Sequence, residues 1–157
     1  VVVLLPADGP ATASAEATAG AVLRAVPPPE ARPHVLVVED EGSVRELMAG
    51  ALERHGFAVT AVGSAEEAVG FAPGTYDVLL TDISLPGMNG VDLAKRILGA
   101  APAARVMLMS GYAREEYLTP ADDLPFIGKP FTTRAIVDRL RSILAEPPVA
   151  SPESRPA

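Results

Sequence analysis

Apolar residues in the middle of the chain gather into short unbroken runs, and between the runs they recur at helical spacing. HVLVVED (34–40), FAVTAV (57–62), DVLLTD (77–82), RVMLMS (105–110) and PFIG (125–128) each predict a strand. After the first run, Val44, Leu47, Met48, Ala51 and Leu52 fall on one helix face, with a capping box of Ser43 and Glu46 at its start and Gly56 at its end. Ser64 with Glu67 caps a second helix, and GVDLAKRIL (90–98) forms a third. AREEYL (113–118) predicts a weak fourth helix, interrupted afterwards by Pro120 and Pro125. Thr132 or Thr133 opens the last helix, which turns Ile136, Leu140, Ile143 and Leu144 inward. Unbroken apolar strands are buried on both faces, and a helix after each strand permits parallel pairing. The expectation is an α/β fold, a doubly wound five-stranded parallel sheet with helices on both faces. The ligand site of such a sheet lies beyond the carboxyl ends of its strands.

The flanks break the pattern. VVVLLP (1–6) is a short β-branched run with no partner nearby, and residues 7–33 are rich in Ala, Thr, Gly and Pro and predict an extended linker. Residues 34–145 carry the folded domain, and the Pro-rich segment 146–157 predicts a disordered tail. The 157 residues are 48% apolar, yet no run approaches membrane-span length, so a soluble domain without direct membrane contact is expected. A net charge of −7 with no basic stripe argues against nucleic-acid binding. The absence of cysteine removes disulfides, thiolate metal sites and thiol nucleophiles, and fits a reducing cytoplasm. The chain opens on Val1 with no charged-then-apolar leader, which reads as a piece of a longer cytoplasmic or membrane-anchored protein.

The strand ends hold the chemistry. Strand one ends in Glu39-Asp40, strand three in Asp82, strand four in Ser110, and strand five just before Lys129. Carboxylates sharing a pocket repel one another, and a hard divalent cation, Mg²⁺ or Mn²⁺, relieves them. A lysine and a hydroxyl beside such a metal suit a phosphoryl group. Asp82 then reads as the nucleophile that forms an acyl phosphate. Taken alone, an Asp after a strand is an ordinary turn former; the coincidence of the set at four strand ends carries the reading.

The blocks VLVVEDE, DVLLTDISLPGMNGVDL, VMLMSGY and PFIGKPF, in this order, resemble the signature blocks of response-regulator receiver domains. The resemblance covers residues 34–145 and implies the strand order 2-1-3-4-5. It implies Asp82 as phosphoacceptor, Glu39 and Asp40 as the acidic pair, the Ser84 carbonyl as a further metal contact and Lys129 as the phosphate-binding lysine. Ser110 becomes the switch hydroxyl, Phe126 the switch aromatic (plain core packing is its alternative), and the bond before Pro130 is expected to be cis. The implied partners are the phosphohistidine domain of a histidine kinase and a histidine phosphotransfer protein, with a homodimer left open. VVVLLPA at the start resembles the last strand of a kinase ATP-binding domain, which with the linker gives the order of a hybrid histidine kinase. Tyr112, two positions beyond Ser110, departs from the pattern and is placed either at the pocket rim or in the packing.

Two other functions compete. A metal-dependent aspartyl phosphohydrolase needs a second acid two residues beyond its nucleophile, and that position is Ser84. A receiver-like dimerisation module would not need the intact set of acids, acceptor and lysine. Glu41, the pair Glu66-Glu67 and the run Glu115-Glu116 read as solvated charges, Met107 and Met109 as core, and Pro86-Gly87 as loop-shaping. His34 and His55 look exposed, and neither reads as a phosphodonor.

Overall fold

The structure, a computed structural model, describes residues 32–111 and 124–147. Five strands, β1 (His34–Val38), β2 (Ala58–Val62), β3 (Val78–Asp82), β4 (Val106–Ser110) and β5 (Phe126–Gly128), form one parallel sheet in the order β2-β1-β3-β4-β5. Helices α1 (Gly42–Arg54), α2 (Ala65–Val69), α3 (Gly90–Ala100) and α4 (Thr133–Ala145) connect or follow them. The predicted fourth helix (113–118), Tyr112, residues 1–31 and residues 148–157 lie outside the described residues.

Alternation along the strands divides the core into two layers. Val35, Val37, Val78, Leu80, Met107 and Met109 face α1 and α4, whose Met48, Leu52, Ile136, Leu140 and Ile143 close that side. Leu36, Val38, Leu79 and Leu108 face the other side, against Ala65 and Ala68 of α2 and Leu93, Ala94 and Ile97 of α3. The three central strands are therefore buried on both faces, which is why they read as unbroken apolar runs.

Helix starts depart from the sequence reading in two places. Glu41, not Ser43, is the N-cap of α1, and its side chain makes no cap hydrogen bond. Ser43 lies inside the first turn, where its hydroxyl donates to Glu41 Oε1 at 3.2 Å, so the capping box does not form. Leu47 is 70% exposed rather than inward, because the helix buries only the narrower stripe Met48, Ala51 and Leu52. Elsewhere the caps follow the rule: Ser64, Asn89 and Thr132 accept the N–H of Glu67, Asp92 and Ala135. Gly56 follows α1 at φ +91, a conformation that costs glycine nothing.

Candidate functional site

Two positions past Val37 and Leu80 the inward rows of β1 and β3 reach Glu39 and Asp82. The same alternation that buries those residues carries both carboxyls to one end of the α1/α4 layer. Asp40 follows in the loop before α1. One oxygen from each of Glu39, Asp40 and Asp82 lies within 4.8 Å of the others. Glu39 and Asp82 are buried, at 2% and 6% exposure, while Asp40 opens to solvent.

Lys129, just beyond β5, answers part of this charge. Its Nζ lies 2.9 Å from Asp82 Oδ2 and 3.2 Å from Glu39 Oε2. The other oxygens take backbone donors: Ser84 N–H donates to Asp82 Oδ1 at 3.1 Å, and Glu41 N–H donates to Glu39 Oε1 at 3.2 Å. Burial pushes the Glu39 carboxyl above the usual glutamate value, and the Glu41 N–H and the Lys129 charge only partly offset it. Burial pulls the Lys129 ammonium down, but its hydrogen bond to Asp82 and the charges of Asp82 and Glu39 win, and its pKa is raised. The pair therefore protects the lysine's charge more than the glutamate's, as expected when Glu39 is the deeper of the two.

Three carboxyls with one ammonium between two of them leave an excess of negative charge that a further cation can relieve. The donors are hard oxygens, and exposed Asp40 leaves water a way in, which fits Mg²⁺ or Mn²⁺. Ser84 is exposed, and its N–H is fixed on Asp82.

Ser110 ends β4, fully buried, and pairs with Gly128, whereas Leu108 pairs with Phe126. Parallel partners share a face, so Ser110 and Phe126 stand on the α2/α3 side of the sheet, across it from Glu39 and Asp82. Phe126 is half-buried against that layer. Lys129 N–H donates to the Ser110 carbonyl at 2.7 Å, and the Lys129–Pro130 bond is cis. Of the predicted site residues, the structure thus brings Glu39, Asp40, Asp82, the Ser84 N–H and Lys129 together, and places the Ser110 and Phe126 side chains on the other face of the sheet. Tyr112 lies outside the described residues.

Three residues were missed. Gly90 opens α3, and a Cβ there would overlap the Asp82 carbonyl oxygen and stand 2.9 Å from Ile83 Cα. Glu66, read as solvated, is exposed but reaches the loop after Asp82, where its Oε1 accepts the Met88 N–H at 3.1 Å. Arg45 donates to the carbonyls of Glu39 and Asp40. Only Gly90 carried a sequence signal, a glycine directly after a helix cap, whereas the contacts of Arg45 and Glu66 depend on tertiary placement. The two histidines are structural. His34 is half-buried, bonded to the Thr75 carbonyl and the Thr60 hydroxyl, and His55 is bonded to the Ala51 carbonyl.

Known proteins resemble this chain. The family model for the response regulator receiver domain matches residues 35–141. The transcriptional regulatory protein CseB of Streptomyces avermitilis is 37% identical over 130 residues, covering 79% of this chain and 54% of CseB. The chain thus spans about half the length of that relative. Among solved structures, the receiver domain of the hybrid histidine kinase CckA is 32% identical with a TM-score of 0.60, covering 71% of this chain and 98% of that one. TrrA of Thermotoga maritima, solved in complex with Mg²⁺-BeF, is 27% identical with a TM-score of 0.64, covering 71% and 98%. A match over the sheet, the helices and the acidic end of the strands has one consequence: this chain belongs to the response regulator receiver domain family.

Proposed function

We propose that this receiver domain takes a phosphoryl group onto Asp82 from the phosphohistidine of a histidine kinase or of a histidine phosphotransfer protein. The observation that carries the reading is the meeting of Glu39, Asp40 and Asp82 within 4.8 Å with Lys129 Nζ 2.9 Å from Asp82. An Asp82 carboxylate oxygen attacks phosphorus, the P–N bond breaks with its electron pair leaving on the imidazole, and the imidazole takes up a proton. Negative charge on the transferring oxygens needs donors already in place. Lys129 supplies one and leaves Asp82 for a phosphoryl oxygen as the acyl phosphate forms. The Ser84 N–H holds the carboxylate's orientation meanwhile. Asp40, Asp82 and the Ser84 carbonyl would hold Mg²⁺, with Glu39 orienting a bound water. That ion supplies charge neutralisation at the phosphoryl oxygens.

Ser110 then turns toward the phosphoryl group, and Phe126, on the same sheet face, repacks into the space it leaves. The donor is a helical phosphohistidine protein that docks on the face beside Lys129. There, Leu47 stands exposed at the edge of an apolar groove of about 430 Å³ lined by Val44, Pro130 and Phe131. A hydrolytic enzyme is disfavoured because Ser84 cannot serve as the general acid two residues beyond Asp82. The likeness to the CckA receiver supports a place in a hybrid-kinase parent. Among the described residues no helix is long and apolar enough to cross a membrane.

Acetyl phosphate with and without Mg²⁺, read by intact mass, tests the proposal. One phosphoryl increment that needs Mg²⁺ and is absent from Asp82→Asn is expected. An increment on the Asn variant, or an equal one in EDTA, overturns it.

A further inference from the structure

The first turn of α1 contains no acidic residue and its cap side chain accepts no helix N–H, yet it contains Arg45. A cation there is opposed by the helix dipole, so its position needs another reason. Its guanidinium folds back over the preceding loop, and Nη1 donates to the Glu39 carbonyl at 2.8 Å and to the Asp40 carbonyl at 3.3 Å. These are the carbonyls of the acidic pair itself.

A peptide unit is planar and trans, so fixing its oxygen fixes its N–H on the opposite edge. The Asp40 carbonyl shares its plane with the Glu41 N–H, and that N–H donates to Glu39 Oε1. Arg45 therefore holds one edge of the peptide whose other edge holds the Glu39 carboxylate. Gly63, just past the β2 end whose Val62 carbonyl accepts the Glu39 N–H, leaves room for this. A Cβ there would stand 3.2 Å from Arg45 Nη1 and 3.7 Å from its Cζ. Gly63 has no left-handed φ, so backbone strain does not explain the glycine.

We infer that Arg45, seated in the slot left by Gly63, is a positioning residue that sets the Glu39–Asp40 loop for a divalent cation. The inference rests on the metal reading above and goes beyond it in naming what holds the ligands. Its sign separates it from simple electrostatics. A nearby positive charge repels Mg²⁺, so its removal alone would tighten binding; loss of loop geometry would weaken it.

Mg²⁺ titration of the full chain, with Arg45→Met and Gly63→Val, makes the test. Both variants should remain folded by circular dichroism and bind Mg²⁺ roughly tenfold more weakly, the scale of losing a residue that orients ligands. Gly63→Val keeps the charge and displaces the guanidinium. In labelling by acetyl phosphate, both should need more Mg²⁺ for half-maximal rate and approach the parent rate at saturation. If the parent itself binds no Mg²⁺, the metal reading fails and this inference with it. If the parent binds Mg²⁺ and either variant binds it as tightly or more tightly, the positioning role alone is wrong. Loss of the fold in both variants also overturns it, making Arg45 a residue of stability.

Discussion

Glu39 carries the sharpest conflict between stability and function in the chain. It is 2% exposed, it shares a pocket with Asp40 and Asp82, and burial raises its pKa above the usual glutamate value. Such a group takes up its proton at a higher pH in the folded state than in the unfolded state. Between the two values the native state holds more protons, so stability of the metal-free protein rises as pH falls through that window and declines as pH rises through it. Glu39→Gln removes this dependence. In EDTA at neutral pH the variant should melt about 2–5 °C above the parent, the scale of roughly 1 kcal/mol in a domain of this size. The gap should close as pH falls through the raised Glu39 pKa. Thermal melts across pH check it; a variant less stable than the parent at neutral pH would mean that the Lys129 bond outweighs the repulsion. The acids and the lysine were legible in the sequence because each ends an apolar run, where charge is costly without a purpose. Arg45 was not legible, because its role lies in backbone carbonyls that any residue presents.

At the scale of elements, periodicity conveyed strands and helices well and their beginnings less well. β1, β3 and β4 are buried on both faces, so their patterns were unambiguous. The start of α1 was misread because Ser43-x-x-Glu46 matches a capping box, while the loop is set instead by Glu39, Glu41 and Arg45. Leu47 was misread because helical spacing cannot say where a buried stripe ends. Close approach of α3 to the sheet is fixed by Gly90, whose N–H donates to the Ile83 carbonyl at 3.0 Å. Gly90→Ala inserts a methyl group against the Asp82 backbone and should cost roughly 1–3 kcal/mol, as overpacking does. Because the displaced backbone is that of the proposed acceptor, labelling by acetyl phosphate should fall as well. Denaturant unfolding together with a labelling assay measures both. Parent-like stability would show that α3 can retreat without moving Asp82.

For the whole molecule, the two layers divide the labour. Glu39 and Asp82 end rows of the layer covered by α1 and α4, and Ser110 ends a row of the opposite layer with Phe126 beside it. In the proposed switch, phosphorylation on one side is read as repacking on the other. The exposed Leu47 lies on the first side, on the face proposed to dock the phosphodonor. Leu47→Glu should change stability by no more than about 0.5 kcal/mol, as for an exposed position. It should slow transfer from a phosphohistidine donor roughly tenfold, equivalent to about 1.4 kcal/mol, while leaving labelling by acetyl phosphate unchanged. Equal losses with both donors would place the effect in the pocket rather than in docking. Phosphoryl transfer at this site depends first on which carboxylate is the acceptor. Chemical reduction of the freshly phosphorylated chain with borohydride converts an acyl-phosphate aspartate to homoserine, and peptide mass mapping locates the change. Homoserine is expected at position 82 alone, formed only when Mg²⁺ was present during labelling; homoserine at position 40 or elsewhere, with Asp82 intact, would show that another residue is the acceptor.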